Sequence, residues 1–149
     1  LDYVDPLYDF EADRSSSTRR PYWDDLYAHE ILDPPPYHGV LVSRAIVGDG
    51  PVGGGKYTAA QAQRFRREGA RAFLRLDDPR FAGMPVFGDC GAFAYHRAEV
   101  PPYTPEEMLA FYDDAGFTHG CSVDHIIFEF EEEHDTGLGG GNAEARRRF

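Results

Sequence analysis

Three short apolar runs alternate with two helical patterns, and this alternation constrains the chain more than any other feature. The runs cover residues 39–47, 85–93 and 120–128. Each is nearly continuous in apolar or small residues, as strands buried on both faces are. Between the first two, Thr58 and Gln61 form a capping box, and Ala62, Phe65, Gly69, Phe73 and Leu76 recur at helical spacing. That helix is expected to stop at Asp77-Asp78-Pro79. Between the last two runs, Thr104-Pro105-Glu106-Glu107 sets an N-cap, a proline at the first helical position and an acid at the third. Met108, Leu109, Phe111 and Tyr112 supply the apolar side of this helix, and Gly116 is its expected stop. The order β-α-β-α-β implies parallel strands joined by crossovers, hence an α/β fold.

Asp89 and Asp124 fall within the second and third runs, where each strand is expected to end. Barrel enzymes keep catalytic carboxylates at such strand ends. The fold expected is therefore a partial (β/α)8 barrel, since a whole one takes about 200 residues or more and this chain has 149. Residues 1–36 read as a loop-rich N-terminal segment, with a short helix near residues 24–31. Residues 37–128 form the partial barrel. Residues 129–149 are an acidic and glycine-rich tail, expected to be poorly ordered. The first residue is Leu1, which reads as a start inside a longer protein.

A net charge of −11 argues against non-specific nucleic-acid binding, which needs cations to meet phosphates. It leaves room for a nucleic-acid enzyme whose basic surface lies elsewhere. Arg64, Arg66, Arg67, Arg71 and Arg75 share one helix and read as a solvated face. No apolar run is long enough for a membrane span. Cys90 and Cys121, both expected on buried strands, read as reduced core thiols of a cytoplasmic protein. Two cysteines and six histidines without ligand spacing give no metal site in this segment.

The candidate site residues carry alternative roles. Asp89 is read either as a general base or nucleophile, or as a cap for the turn that follows. Gly91 lets a ligand approach the backbone. Phe93 either stacks on a flat ligand or fills core, with core favoured from local sequence alone. Asp124 either accepts hydrogen bonds from a planar donor edge or is a buried acid paired with His125 or Arg44. Cys90 with a histidine would be a nucleophile pair, though no spacing demands it. The loop Gly50-Pro51-Val52-Gly53-Gly54-Gly55-Lys56-Tyr57 approaches a phosphate-binding loop, which makes a nucleotide-binding module using Lys56 an alternative. Tyr57 stands there in place of the Ser or Thr that holds magnesium. A non-catalytic, decayed fragment is a further alternative.

The stretch Gly88-Asp89-Cys90-Gly91-Ala92-Phe93-Ala94-Tyr95 resembles the Asp-Ser-Gly-Gly-Phe-Gln signature of tRNA-guanine transglycosylases. Ser122-Val123-Asp124-His125-Ile126 resembles that family's second acidic strand end. Val4-Asp5-Pro6, Asp25-Leu26-Tyr27-Ala28-His29-Glu30, Leu41-Val42-Ser43-Arg44-Ala45 and Pro101-Pro102-Tyr103-Thr104-Pro105-Glu106-Glu107 are similar to the DpdA-like branch, the DNA-guanine transglycosylases of 7-deazaguanine DNA modification. This resemblance implies a barrel enzyme, a pentosyltransferase that exchanges guanine in DNA (or tRNA) for a cyano-deazaguanine-type base, with accessory DNA-modification proteins as partners. It implies that Asp89 is the acid/base aspartate and Phe93 the stacking residue. Asp124 would bind the base edge. Gly91, Cys90, Ser43 and Arg44 join the substrate-binding candidates. Cys90, Ala92 and Ala94 depart from the Ser, Gly and Gln of the tRNA enzymes. The family's nucleophilic aspartate and zinc cysteines come later than this segment. The isolated chain is therefore expected to be an N-terminal part without covalent catalysis, with no cofactor of its own.

Overall fold

The computed structural model describes residues 3–48, 50, 55–98 and 100–126. The expected tail at 129–149 and the middle of the glycine-rich loop lie outside the described residues. The chain divides into two compact units, Leu1–Val40 and Leu41–Phe149.

In the first unit, β1 (Tyr3–Val4) pairs antiparallel with β2 (Leu26–Tyr27), and β2 leads directly into α1 (Ala28–Ile31). The short helix expected near residues 24–31 is thus half strand. Arg19 ties the unit together: its guanidinium lies 2.6 Å from Asp25 and 3.3 Å from Asp5, and over the Tyr3 ring. All three charges are largely shielded from water, where their attraction is stronger than at a surface but is offset by the cost of leaving water. His29 is fully buried, stacks on Tyr27 and hydrogen-bonds the Tyr37 hydroxyl.

The second unit follows the predicted alternation. Its sheet has the order β3-β4-β5, with β3 at Val40–Ser43, β4 at Val86–Asp89 and β5 at His119–Gly120. β4 and β5 run parallel, with Phe87 opposite His119 and Gly88 opposite Gly120. This is an α/β architecture; the described residues form an open three-stranded sheet.

The first strand is shorter than its apolar run. At Ser43 the chain turns into α2 (Arg44–Val47), closed by Gly48 in the left-handed region. Apolar content does not separate a buried strand from a buried helical turn, and here the run contains both. The third strand is shorter still. Beyond Gly120 the chain is irregular, so Asp124 lies four residues past the strand, and Cys121 is exposed rather than buried.

Both helix starts are as read. Thr58 caps α3 (Ala59–Phe73) and Thr104 caps α4 (Pro105–Asp114), each in a reciprocal box with the residue three positions on. Gly116 follows α4 with φ +68°, as the expected stop requires. Leu109 is 61% exposed, so the buried side of α4 is Met108, Phe111 and Tyr112. Helix α3 breaks at Gly69, whose φ of 80° and ψ of 167° are not helical. The break lets Ala70 N–H donate to Ala115 O at 2.8 Å, joining α3 to the end of α4. Phe65, Phe73, Phe111 and Phe117 form the aromatic centre between the helices. Burying each of the Phe65, Phe73 and Phe111 rings contributes about 1.5–3 kcal/mol.

The arginine row on α3 is not a bare solvated face. Arg64 and Arg67 pair with Glu68. Arg71 folds back to donate to Met84 O (2.7 Å), Leu76 O (3.0 Å) and Phe81 O (2.6 Å). That fixes the loop entering β4.

Candidate active site at the strand ends

Ser43 and Asp89 end neighbouring strands, and Ser43 Oγ donates to Asp89 Oδ2 at 2.6 Å. The backbone N–H of Gly91 donates to the same oxygen at 3.0 Å. Gly91 is left-handed at φ +79°, and a Cβ there would lie 2.6 Å from the Ala45 Cβ. Glycine is therefore required twice, by conformation and by space. The turn that presents Asp89 depends on it. Asp89 is thus held through Oδ2, and among the described residues the hydrogen bond that reaches Oδ1 is a long one, from the Cys90 thiol at 3.9 Å.

Asp124 is exposed, and its position is set by two contacts. Tyr95 Oη donates to its backbone carbonyl at 3.0 Å, and Cys90 Sγ donates to Oδ1 at 2.8 Å. The two alternative partners of Asp124 engage elsewhere. His125 is buried with Nε2 on Ala98 O. Arg44 donates to Glu107 O at 2.9 Å and lies over the Tyr103 and Phe111 rings, cross-linking the end of β3 to α4. Of the substrate-binding candidates, Ser43, Gly91, Cys90 and Asp124 gather around Asp89, whereas Arg44 packs into the protein.

Phe93 is 70% exposed, so the core role favoured from local sequence is corrected. It sits on a short 3₁₀ turn, Ala92–Tyr95, directly after the Gly91 turn, which swings it outward. Its ring meets His96 on one side, and the turn buries Ala92 and Tyr95 instead. The floor of the site is Tyr112, laid against Gly88 and Gly120, with its hydroxyl donating to Cys121 O at 2.9 Å.

Cys90 is fully buried. Burial, and then its hydrogen bond to Asp124, raise the thiol above its ordinary value of 9.0. Burial likewise raises Tyr95 and Tyr112 above 10.0. The thiol is therefore protonated at neutral pH, a donor rather than a nucleophile. Asp89, Cys90 and Asp124 bring their ligand atoms within 4.8 Å of one another. A metal would need the thiolate, which this environment disfavours. The zinc implied by the sequence resemblance has no cysteine cluster in this chain, whose two cysteines are Cys90 and Cys121.

The Lys56 alternative gains no support from the described part of its loop. The N–H groups of Lys56 and Tyr57 both donate to Ile46 O, and the α3 start is closed by Thr58 and Gln61. A phosphate cradle needs such amides free. Residues 51–54 lie outside the described residues. No helix among the described residues is long and apolar enough to cross a membrane.

What the arrangement offers is a pair of close carboxylates, each held through one oxygen, with an exposed aromatic ring four residues beyond Asp89. No family model matches the chain. It is 46% identical over 149 residues, 99% of its length, to a DNA-guanine transglycosylase of Salmonella montevideo. It spans 34%, about a third, of that protein's length. The chain is a relative of that transglycosylase, as the motifs around Asp89 and Asp124 led us to expect.

Proposed function

We propose that this segment is the base-handling part of a guanine transglycosylase that exchanges guanine in DNA for a 7-deazaguanine. The observation that carries this is the pairing of Asp89 with Asp124 within 4.8 Å, in a chain 46% identical to a DNA-guanine transglycosylase. The open Oδ2 of Asp124 accepts the N–H donors of a guanine-like edge. The base must be flipped out of the duplex to present that edge. Phe93 offers its exposed face for stacking, worth about 1–3 kcal/mol per base. Asp89 Oδ1 takes up and returns the purine proton as the bases exchange, while Ser43 and Gly91 fix the carboxylate. Covalent attack on the sugar needs a further carboxylate; the one aspartate after Asp124 is Asp135, outside the described residues. The β-α-β-α-β order is that of the opening units of a (β/α)8 barrel, and the nucleophile comes from a later strand. DNA is the substrate, accessory modification proteins assist, and the setting is cytoplasmic.

The test replaces the matching third of the Salmonella montevideo enzyme with this chain and follows labelled guanine entering DNA. We expect exchange by the chimera, none after Asp89→Asn, and weakened base binding after Asp124→Ala. Normal exchange by the Asp89→Asn chimera would sink the assignment. The chain alone should trap no covalent DNA adduct.

A further inference from the structure

We propose that Cys90 is a positioning residue: its buried thiol holds Asp124 Oδ1 and so turns the other carboxylate oxygen toward the donor edge of the base. This rests on the reading of Asp124 as the residue that binds a guanine-like edge.

Asp124 needs such a support. It lies in irregular chain four residues beyond β5, it is exposed, and no regular hydrogen-bond ladder fixes it. Its backbone is pinned by Tyr95 Oη. That leaves two side-chain torsions free, and an unsupported carboxylate at a water-facing edge samples several of them. Among the described residues, the Cys90 thiol is the one side chain that hydrogen-bonds this carboxylate, at 2.8 Å. The sulfur also lies 3.9 Å from Asp89 Oδ1, so it stands between the two acids. A neutral donor there relieves two like charges held within 4.8 Å. Its own backbone cannot drift, since Cys90 sits between the end of β4 and the Gly91 turn. The groups facing the thiol are Asp89, Asp124, Tyr95 and Tyr112, and the upward shift of Cys90 keeps it a donor through the neutral range.

Two measurements test this. The first uses the chain itself in a Cys121→Ser background, which leaves Cys90 as the sole thiol. Its titration, followed by thiolate absorbance, should move to lower pH in Asp124→Asn, because the neighbouring negative charge is gone. An unmoved titration overturns the contact. The second uses the chimera. Cys90→Ala should raise KM for guanine about tenfold, the worth of one positioned hydrogen bond, with kcat within about twofold. Cys90→Ser, which restores a donor, should recover most of the loss. A KM unchanged in Cys90→Ala, or a kcat that falls with KM constant, overturns the positioning role. If the titration moves but the parent chimera exchanges no guanine, the contact stands and the guanine reading falls.

Discussion

Tyr112 lies across two glycines on paired strands, and this makes Gly88→Ala a quantitative probe of how the strand ends are built. A Cβ at position 88 would come within 2.2 Å of Tyr112 Cε1 and 2.3 Å of Cδ1. Carbon atoms in contact stay about 3.5 Å apart or more, so the ring must retreat by roughly 1.3 Å. Phe111 and Phe117 stand against it, and its hydroxyl would leave Cys121 O. Overpacking of this kind costs about 1–3 kcal/mol. The lost hydrogen bond adds about 1 kcal/mol. Replacing a strand glycine returns about 0.5–1 kcal/mol of backbone entropy. The net expectation is about 2 kcal/mol of destabilisation, read by circular dichroism as a urea midpoint about 1 M lower for an m-value near 2 kcal/mol/M. Gly83→Ala is the control, because a Cβ there meets nothing within 4 Å. In a Tyr112→Leu background the Gly88→Ala effect should shrink, as a double-mutant cycle reports for a direct contact. Equal midpoints for Gly88→Ala and Gly83→Ala would refute the reasoning.

Two further outcomes are expected. Arg71→Ala removes charge-assisted bonds to three backbone carbonyls and should cost about 3 kcal/mol by the same urea assay, whereas Arg67→Ala, an exposed pair, should cost under about 1 kcal/mol. Stability should fall as pH rises from about 9 upward. Cys90, Tyr95 and Tyr112 keep their protons longer folded than unfolded, where they ionise near 9.0, 10.0 and 10.0, so the folded state binds more protons in that window and rising pH favours unfolding. Urea midpoints between pH 8 and 11 check this; a flat profile would contradict it, and Cys90→Ala should delay the onset.

Local signals in the sequence were legible because local chemistry makes them. Both capping boxes join residues three apart, and the Gly116 stop follows from a backbone requirement at a single position. Asp89 could be found because a strand-end acid before Cys-Gly is a local pattern. What surrounds it could not. Ser43 reaches Asp89 across 46 positions and Cys90 reaches Asp124 across 34, and no spacing rule encodes such meetings. Phe93 looked like core because phenylalanine usually is; the left-handed Gly91 just before it decides the direction. Arg44 read as a site residue by its neighbourhood in sequence, yet the ring of Tyr103, just before α4, and that of Phe111, on α4, claim it. Arg71 looked like one of a row, and only the path of the loop at 76–84 reveals carbonyls in its reach.

The joint between Ala70 and Ala115 uses backbone atoms alone, made possible by the break at Gly69. Side-chain packing between two helices changes whenever either surface mutates. A peptide-to-peptide weld does not. Substitutions can accumulate on the outward faces of α3 and α4 while the interval between the two helices stays constant. The strands that follow them would inherit that constancy, so relatives of low identity should still hold the end of β4, which carries Asp89, at the same distance from β5, provided that residue 69 remains one without a side chain.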